Sequence, residues 1–271
     1  MQFLLNKAKG LLYSLIQKVG ILRVPLWILD SILRESCIKL VLKLSSFNLK
    51  MPVPVRVGAM EAHLKKIKLQ KVPVSCLIIG GWALEGYPKL IASYLPKNSS
   101  LKCVDTYGEL ENTGYRLSRS EGISRKYAHI AFLLALKNIR SIKYRANLNI
   151  SLMYEINISS FADIYDLVFI DTSGPYKIYE KLLKDSYLSL RDGGIIIGDD
   201  FEVQLPIQRL LLEECKESID HDLIYSQVIR EYVHPGIVLG LNDFMLDYPN
   251  AQVESNNGIY IIHKNSKRLN D

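Results

Sequence analysis

The stretch Tyr165–Phe201 (YDLVFIDTSGPYKIYEKLLKDSYLSLRDGGIIIGDDF) constrains this chain most. It reads as strand, acidic turn, helix, Gly-Gly turn, strand and acidic pair. Asp171 ends one apolar run, and Asp199-Asp200 end the next. Two strands joined through a helix run parallel, so both acidic ends fall on one edge of the sheet, where open α/β folds bind ligands. Three carboxylates in one crevice repel one another unless a cation sits among them. A divalent ion beside a substrate is the expectation this stretch sets.

The rest of the chain extends the same alternation. Ser75–Gly81, Leu101–Asp105, Ile142–Ala146, Tyr165–Asp171 and Gly194–Asp200 read as strands. Helices are expected near Met60–Leu69, Leu84–Leu95, Ser124–Lys137 and Tyr176–Leu190. Continuous Val/Ile/Leu runs between helices indicate a parallel sheet covered on both faces. Pro206–Ser218 reads as a helix, Leu223–Val233 fits no single period, and His234-Pro235-Gly236 opens another helix to about Asp247. Ala251–Ser255 and Gly258–Lys264 flank Asn256-Asn257, a hairpin turn. The fold expected is a Rossmann-like three-layer α/β sandwich. Its mostly parallel seven-stranded sheet closes on a C-terminal antiparallel hairpin, and an N-terminal helical extension precedes it.

Charge divides the chain. Residues 1–50 hold eight basic side chains against Asp30 and Glu35, which accounts for the whole net charge of +6. The remainder is balanced, so no nucleic-acid partner is expected. Leu4, Ala8, Leu11, Leu15 and Val19 form one stripe of a 3.6-residue period, with Lys7, Lys9 and Lys18 off it. This amphipathic segment suits packing against the main domain or a second subunit, giving a homodimer. The alternative reading is an interfacial helix on an anionic membrane surface. Met51–Gly58 (MPVPVRVG) reads as an extended linker that, with its lead-in helix, fills 51–70; the main domain spans 71–265, with 202–233 a lid-like insertion. Cys37, Cys76, Cys103 and Cys215 are widely spaced and form no metal or disulfide pattern. Buried thiols in a reducing cytoplasm are expected, with peripheral contact at the inner membrane face through 1–50. The chain has neither a spanning apolar run nor a signal-peptide pattern.

Leu77–Gly86 (LIIGGWALEG) is a strand, glycine turn and helix start, where backbone approaches a ligand closely and the helix end favours negative charge. Asp105 ends the second strand, 24 residues after Gly81, a place for an acid to accept ribose hydroxyls. This pair of features fits NAD(P) and S-adenosylmethionine equally. The absence of a clean GxGxxG, and acids at Asp171 and Asp199-Asp200 that hydride transfer does not use, favour S-adenosylmethionine.

With those residues in view, Val72–Lys264 resembles the class I S-adenosylmethionine-dependent methyltransferases, and among them the metal-dependent macrocin-type sugar O-methyltransferases. Val72–Trp82 is similar to the family's entry into the cofactor site, and Cys103–Gly114 to its second-strand acid and loop. Phe169–Tyr176 is similar to its IDGDHSY segment, and His234–Phe244 to its PGV helix. Leu190–Asp200 (LRDGGIIIGDD) matches its LxPGGxxxxDD most closely. The resemblance implies that Gly80, Gly81, Trp82, Gly86 and Asp105 contact the cofactor. It also implies that Asp171, Asp199 and Asp200 hold Mg²⁺ or another divalent cation.

The chain departs from the family at Ile78, where an acid stands, and at Leu84, where a glycine stands. It also has Ser173 and Gly174 in place of the Asp and His that supply the base. His234 is then the candidate base beside Asp171, with His63, His129, His221 and His263 the other imidazoles.

The implied activity is O-methylation of a sugar, glycan or similar vicinal diol, since two adjacent oxygens suit a bidentate ion. The missing base keeps a non-catalytic cofactor-binding protein open as the second reading. An NAD-linked oxidoreductase is the third, on the glycine turn and Asp105 alone. Arg209, Tyr225, Arg230 and Tyr232 in the insertion are candidate acceptor contacts.

Overall fold

The structure is a computed structural model. It describes residues 54–69, 71–80, 87–104, 149–153, 164–172 and 174–265, all within the second of the two units into which the chain divides, Leu49–Asp271. The N-terminal extension 1–50, the helix expected at Ser124–Lys137 and the run Ile142–Ala146 lie outside the described residues.

The described elements follow the expected order. They are α1 (Pro54–Leu69), β1 (Ser75–Gly80), α2 (Tyr87–Tyr94), β2 (Ser100–Val104), β3 (Asn149–Met153) and β4 (Tyr165–Asp171). Then come α3 (Tyr176–Ser189), β5 (Leu190–Phe201), α4 (Arg209–Glu217), β6 (Ile224–Tyr225) and β7 (Tyr232–Val233). The last are α5 (Pro235–Asp247), β8 (Gln252–Asn256) and β9 (Gly258–His263).

Seven of these strands make one sheet in the order β3-β2-β1-β4-β5-β9-β8. Pairing from β3 through β5 is parallel, and β9 joins β5 and β8 antiparallel. This is the Rossmann-like arrangement with a C-terminal hairpin. Strand order reverses at β1 and β4, which opens a crevice at their carboxyl ends.

Two cores, one per face, account for the three layers. On one face α3, α4 and α5 bury Tyr179, Leu183, Leu211, Ile237, Leu241 and Phe244 against the sheet. On the other, α1 and α2 bury Met60, Leu64, Tyr87 and Ile91. β1 and β4 are buried almost throughout, as strands covered on both sides must be. In α3, Tyr179, Leu182, Leu183 and Ser186 recur at helical spacing and turn inward. α5 carries no charge until Asp243 and is buried from Pro235 to Leu241.

Four local expectations differ. Residues 54–58 of the anticipated extended linker are helix, because Pro54 sits at the helix start, where a missing N–H costs nothing. The sheet position expected for Ile142–Ala146 is filled by Asn149–Met153, paired with Ser100–Val104. The unassigned Leu223–Val233 contains a small antiparallel ladder, β6 with β7. The hairpin turns on Asn257-Gly258 rather than Asn256-Asn257. Both residues have positive φ, 51° and 82°, the pair of values a two-residue primed turn needs.

Candidate functional site

Register brings the acids together. Gly80, the last residue of β1, lies opposite Asp171, the last of β4, and Ile170 lies opposite Gly198 of β5. Asp171 therefore ends β4, and Asp199 and Asp200 follow the last β4-paired residue of β5 at the same carboxyl edge. Carboxylate oxygens of Asp171, Asp199 and Asp200 all lie within 4.8 Å of one another. Asp199 is buried, at 3% exposure. Burial first, then the charges of Asp200 and Asp171, push its carboxyl up to about 7, and Arg56 offsets only part of this. Asp200 holds φ at 59°, a left-handed conformation that Asp tolerates better than most residues.

Arg56 is the residue sequence reasoning missed. Its Nη1 donates to Asp199 Oδ1 at 2.7 Å and to Asp200 Oδ1 at 2.8 Å, and its Nη2 donates to Glu202. Burial disfavours the guanidinium charge, but the carboxylates of Asp199, Asp200 and Glu202 more than offset this and raise its pKa. A side chain from the first turn of α1 thus neutralises part of an acidic group 143 residues away. The hairpin turn makes room for it. A Cβ on Gly258 would lie 2.7 Å from Arg56 Nε and 2.9 Å from Glu202 Oε2. The sequence signal was the lone Arg in the Pro-spaced run before the first strand, set against the acids of Asp199-Asp200-Phe201-Glu202.

Gly80 is fixed by close approach. Its φ is 81°, and a Cβ there would sit 2.2 Å from the Asp171 carbonyl oxygen. Only glycine lets β1 end against the chain that carries Asp171. Of the cofactor residues expected, Gly81, Trp82, Gly86 and Asp105 lie outside the described residues, as does Ser173. β2 is described to Val104, which pairs with Ile79.

His234 caps α5 and lies beside the strand edge. A Cβ on Gly236, two residues on, would lie 2.0 Å from the Gly174 carbonyl oxygen, so the start of α5 rests on the loop that follows β4. The His234 Nδ1–H donates to the Asp222 backbone carbonyl at 2.8 Å, and Asp222 Oδ1 lies 3.5 Å from the same nitrogen. This fixes the tautomer and leaves Nε2 as the basic nitrogen of the neutral ring. Burial lowers the His234 pKa, but the Asp222 hydrogen bond and the charges of Asp200 and Asp222 outweigh it, so the net shift is upward. Asp222 therefore pairs with His234. No local sequence pattern links residues 222 and 234.

The insertion is held against α4 and displays aromatic side chains. Glu214 accepts from the Gln227 N–H at 2.8 Å and from the Ser226 hydroxyl. Tyr225 and Tyr232, opposite each other on β6 and β7, meet edge to face at 5.3 Å and stay exposed. Cys76, Cys103 and Cys215 are buried thiols outside any disulfide, as expected. No helix among the described residues is long and apolar enough to cross a membrane.

No protein-family model matches the chain, and no curated protein matches it by sequence. Among solved structures it is similar to a Corynebacterium glutamicum protein, with 14% identity, a TM-score of 0.48, and 97% of this chain and 99% of that one covered. It is also similar to an O-methyltransferase from Bacillus cereus solved with S-adenosylhomocysteine, at 12% identity and a TM-score of 0.43, covering 93% and 96%. A third is a SAM-dependent methyltransferase from Methanosarcina mazei, at 15% identity and a TM-score of 0.41, covering 72% and 94%. Likeness at this level transfers no activity. The fold assignment rests on strand order and direction.

Proposed function

We propose that this chain is an S-adenosylmethionine-dependent O-methyltransferase, assisted by a divalent cation and acting on a hydroxyl of a sugar, glycan or similar vicinal diol. The observation that carries this reading is the convergence of Asp171, Asp199 and Asp200 beside Gly80, at the switch point of a sheet with a C-terminal antiparallel hairpin. Three hard oxygen donors within reach of one another suit Mg²⁺, and the raised carboxyl of Asp199 marks a site short of positive charge. When bound, such an ion supplies acidification and orientation of two neighbouring acceptor oxygens. The methyl donor would supply an already activated methyl group, leaving the protein to align the acceptor and remove a proton.

Each described residue has a part in this scheme. Gly80 keeps the end of β1 low enough for a ligand to lie across it. His234 Nε2 accepts the acceptor's proton, and Asp222 holds the ring and stabilises the imidazolium. This arrangement replaces the base that Ser173 and Gly174 do not provide. Tyr225 and Tyr232 offer aromatic faces to the acceptor's apolar side.

Arg56 favours a second reading. A guanidinium bonded to Asp199 and Asp200 partly supplies the missing charge by itself, so the acidic group would be a structural knot and the reaction metal-free. Methyl transfer from labelled S-adenosylmethionine to catechol and to a panel of sugars tests both readings. Transfer that depends on Mg²⁺ and is lost in Asp171→Asn supports the first. Transfer indifferent to chelation supports the second. Absence of donor binding, with or without Mg²⁺, removes both.

A further inference from the structure

We propose that His63, Glu254 and His263 form a binding site for a divalent transition-metal ion of the zinc class, separate from the acidic crevice. The three residues come from α1, β8 and β9. Gln252 pairs with His263, so Glu254 stands diagonally from His263 on the same face of the hairpin. α1 packs against β9 and places His63 over that face.

The donor geometry is close to what such an ion takes. His263 Nε2 lies 2.9 Å from Glu254 Oε1, and His63 Nε2 lies 3.6 Å from the same oxygen. The ring centroids of the two histidines are 5.7 Å apart, and ligand atoms of all three residues fall within 4.8 Å of one another. Neighbouring donors around tetrahedral zinc are roughly 3.3 Å apart, given bonds of about 2.0–2.1 Å. Small rotations about the side-chain bonds therefore close the site. Two imidazoles and one carboxylate are a borderline-soft set that prefers zinc-class ions to magnesium.

The protonation state agrees with that chemistry. Burial lowers the His63 pKa, His263 and Lys66 lower it further, and Glu254 opposes them only in part. The neutral ring has the lone pair that a metal needs. Glu254 is exposed and the histidines half-buried, so an ion reaches the site from solvent. The consequence reaches the acidic crevice. α1 carries both His63 and Arg56, and the hairpin carries both Glu254 and the Gly258 turn against which Arg56 rests. An ion here pins α1 to the hairpin and so holds Arg56 on Asp199 and Asp200.

Zinc alone, titrated calorimetrically into the metal-stripped full chain with Mg²⁺ in excess, tests the site. One equivalent should bind. Its affinity should fall at least about tenfold to a hundredfold in His63→Gln and in His263→Gln, the loss that removing even an outer-sphere partner brings. Asp171→Asn should leave it unchanged. Equal zinc binding by the parent chain and both histidine variants overturns the proposal, as does loss in Asp171→Asn alone. Should a histidine variant unfold, Co²⁺ added to the unaltered chain decides. Selective paramagnetic broadening of the His63 and His263 imidazole protons supports the site, and broadening only at other residues overturns it.

Discussion

At the scale of single residues, the account turns on Arg56 and Asp199. The guanidinium lies among three carboxylates, one of them buried, so its removal leaves charges that repel one another away from water. Arg56→Met should destabilise the cation-free protein by about 2 kcal/mol in chemical denaturation, the Glu202 limb being partly screened by solvent. Mg²⁺ should restore most of that loss if the acids bind it. Asp199 also sets a pH dependence. Its folded pKa of about 7 stands above the ordinary 3.8, so between those values the folded state holds more proton than the unfolded one. Stability should therefore fall as pH rises from about 4 to about 7 and level off above. The raised pKa of His234 acts in the same sense, its contribution being lost as pH climbs through the folded value. Denaturation midpoints at pH 5 and pH 8 should show the drop, and Asp199→Asn should reduce it to the share that His234 contributes.

At the scale of elements, the hinge of the site is the contact between α5 and the loop after β4. A methyl group on Gly236 would meet the backbone at Gly174, which cannot step aside. Gly236→Ala should cost about 1–3 kcal/mol and shift His234, lowering activity more than stability explains. Gly58→Ala, in α1 with open space around it, should be neutral or slightly stabilising and serves as the control. The β6–β7 ladder makes a different prediction. Tyr232→Ala should raise KM for the acceptor with kcat largely kept, since the ring is exposed and far from the proton-removing nitrogen in role.

These elements also show what the sequence made legible. β1, β4 and β5 were readable because strands buried on both faces are written as unbroken apolar runs. α3 and α5 were readable from helical spacing and from the Pro-Gly start. β3 was not, because Asn149–Met153 is short and mixed, and an edge strand is selected by its neighbour rather than by its own composition. α1 was misread at its start because Pro52 and Pro54 suggest extension, while a proline in the first turn is helical. The acids at Asp171, Asp199 and Asp200 were found because strand ends are local features. Arg56 and Asp222 were not found, because their partners lie 143 and 12 residues away and only the folded chain brings them together.

At the scale of the molecule, the parallel sheet and the closing hairpin divide the labour. The sheet's carboxyl edge gathers Gly80, Asp171, Asp199 and Asp200, and α5 starts at His234 against the loop that follows β4. α1 and the hairpin turn meet the acids through Arg56. The central claim is that this edge binds S-adenosylmethionine next to a cation. Calorimetric titration of S-adenosylmethionine into the full chain, with Mg²⁺ and with chelator, measures it most directly. The account predicts one donor molecule bound per chain under both conditions, with Mg²⁺ binding lost in Asp171→Asn. Failure to bind S-adenosylmethionine under either condition, with NAD bound instead, would contradict it.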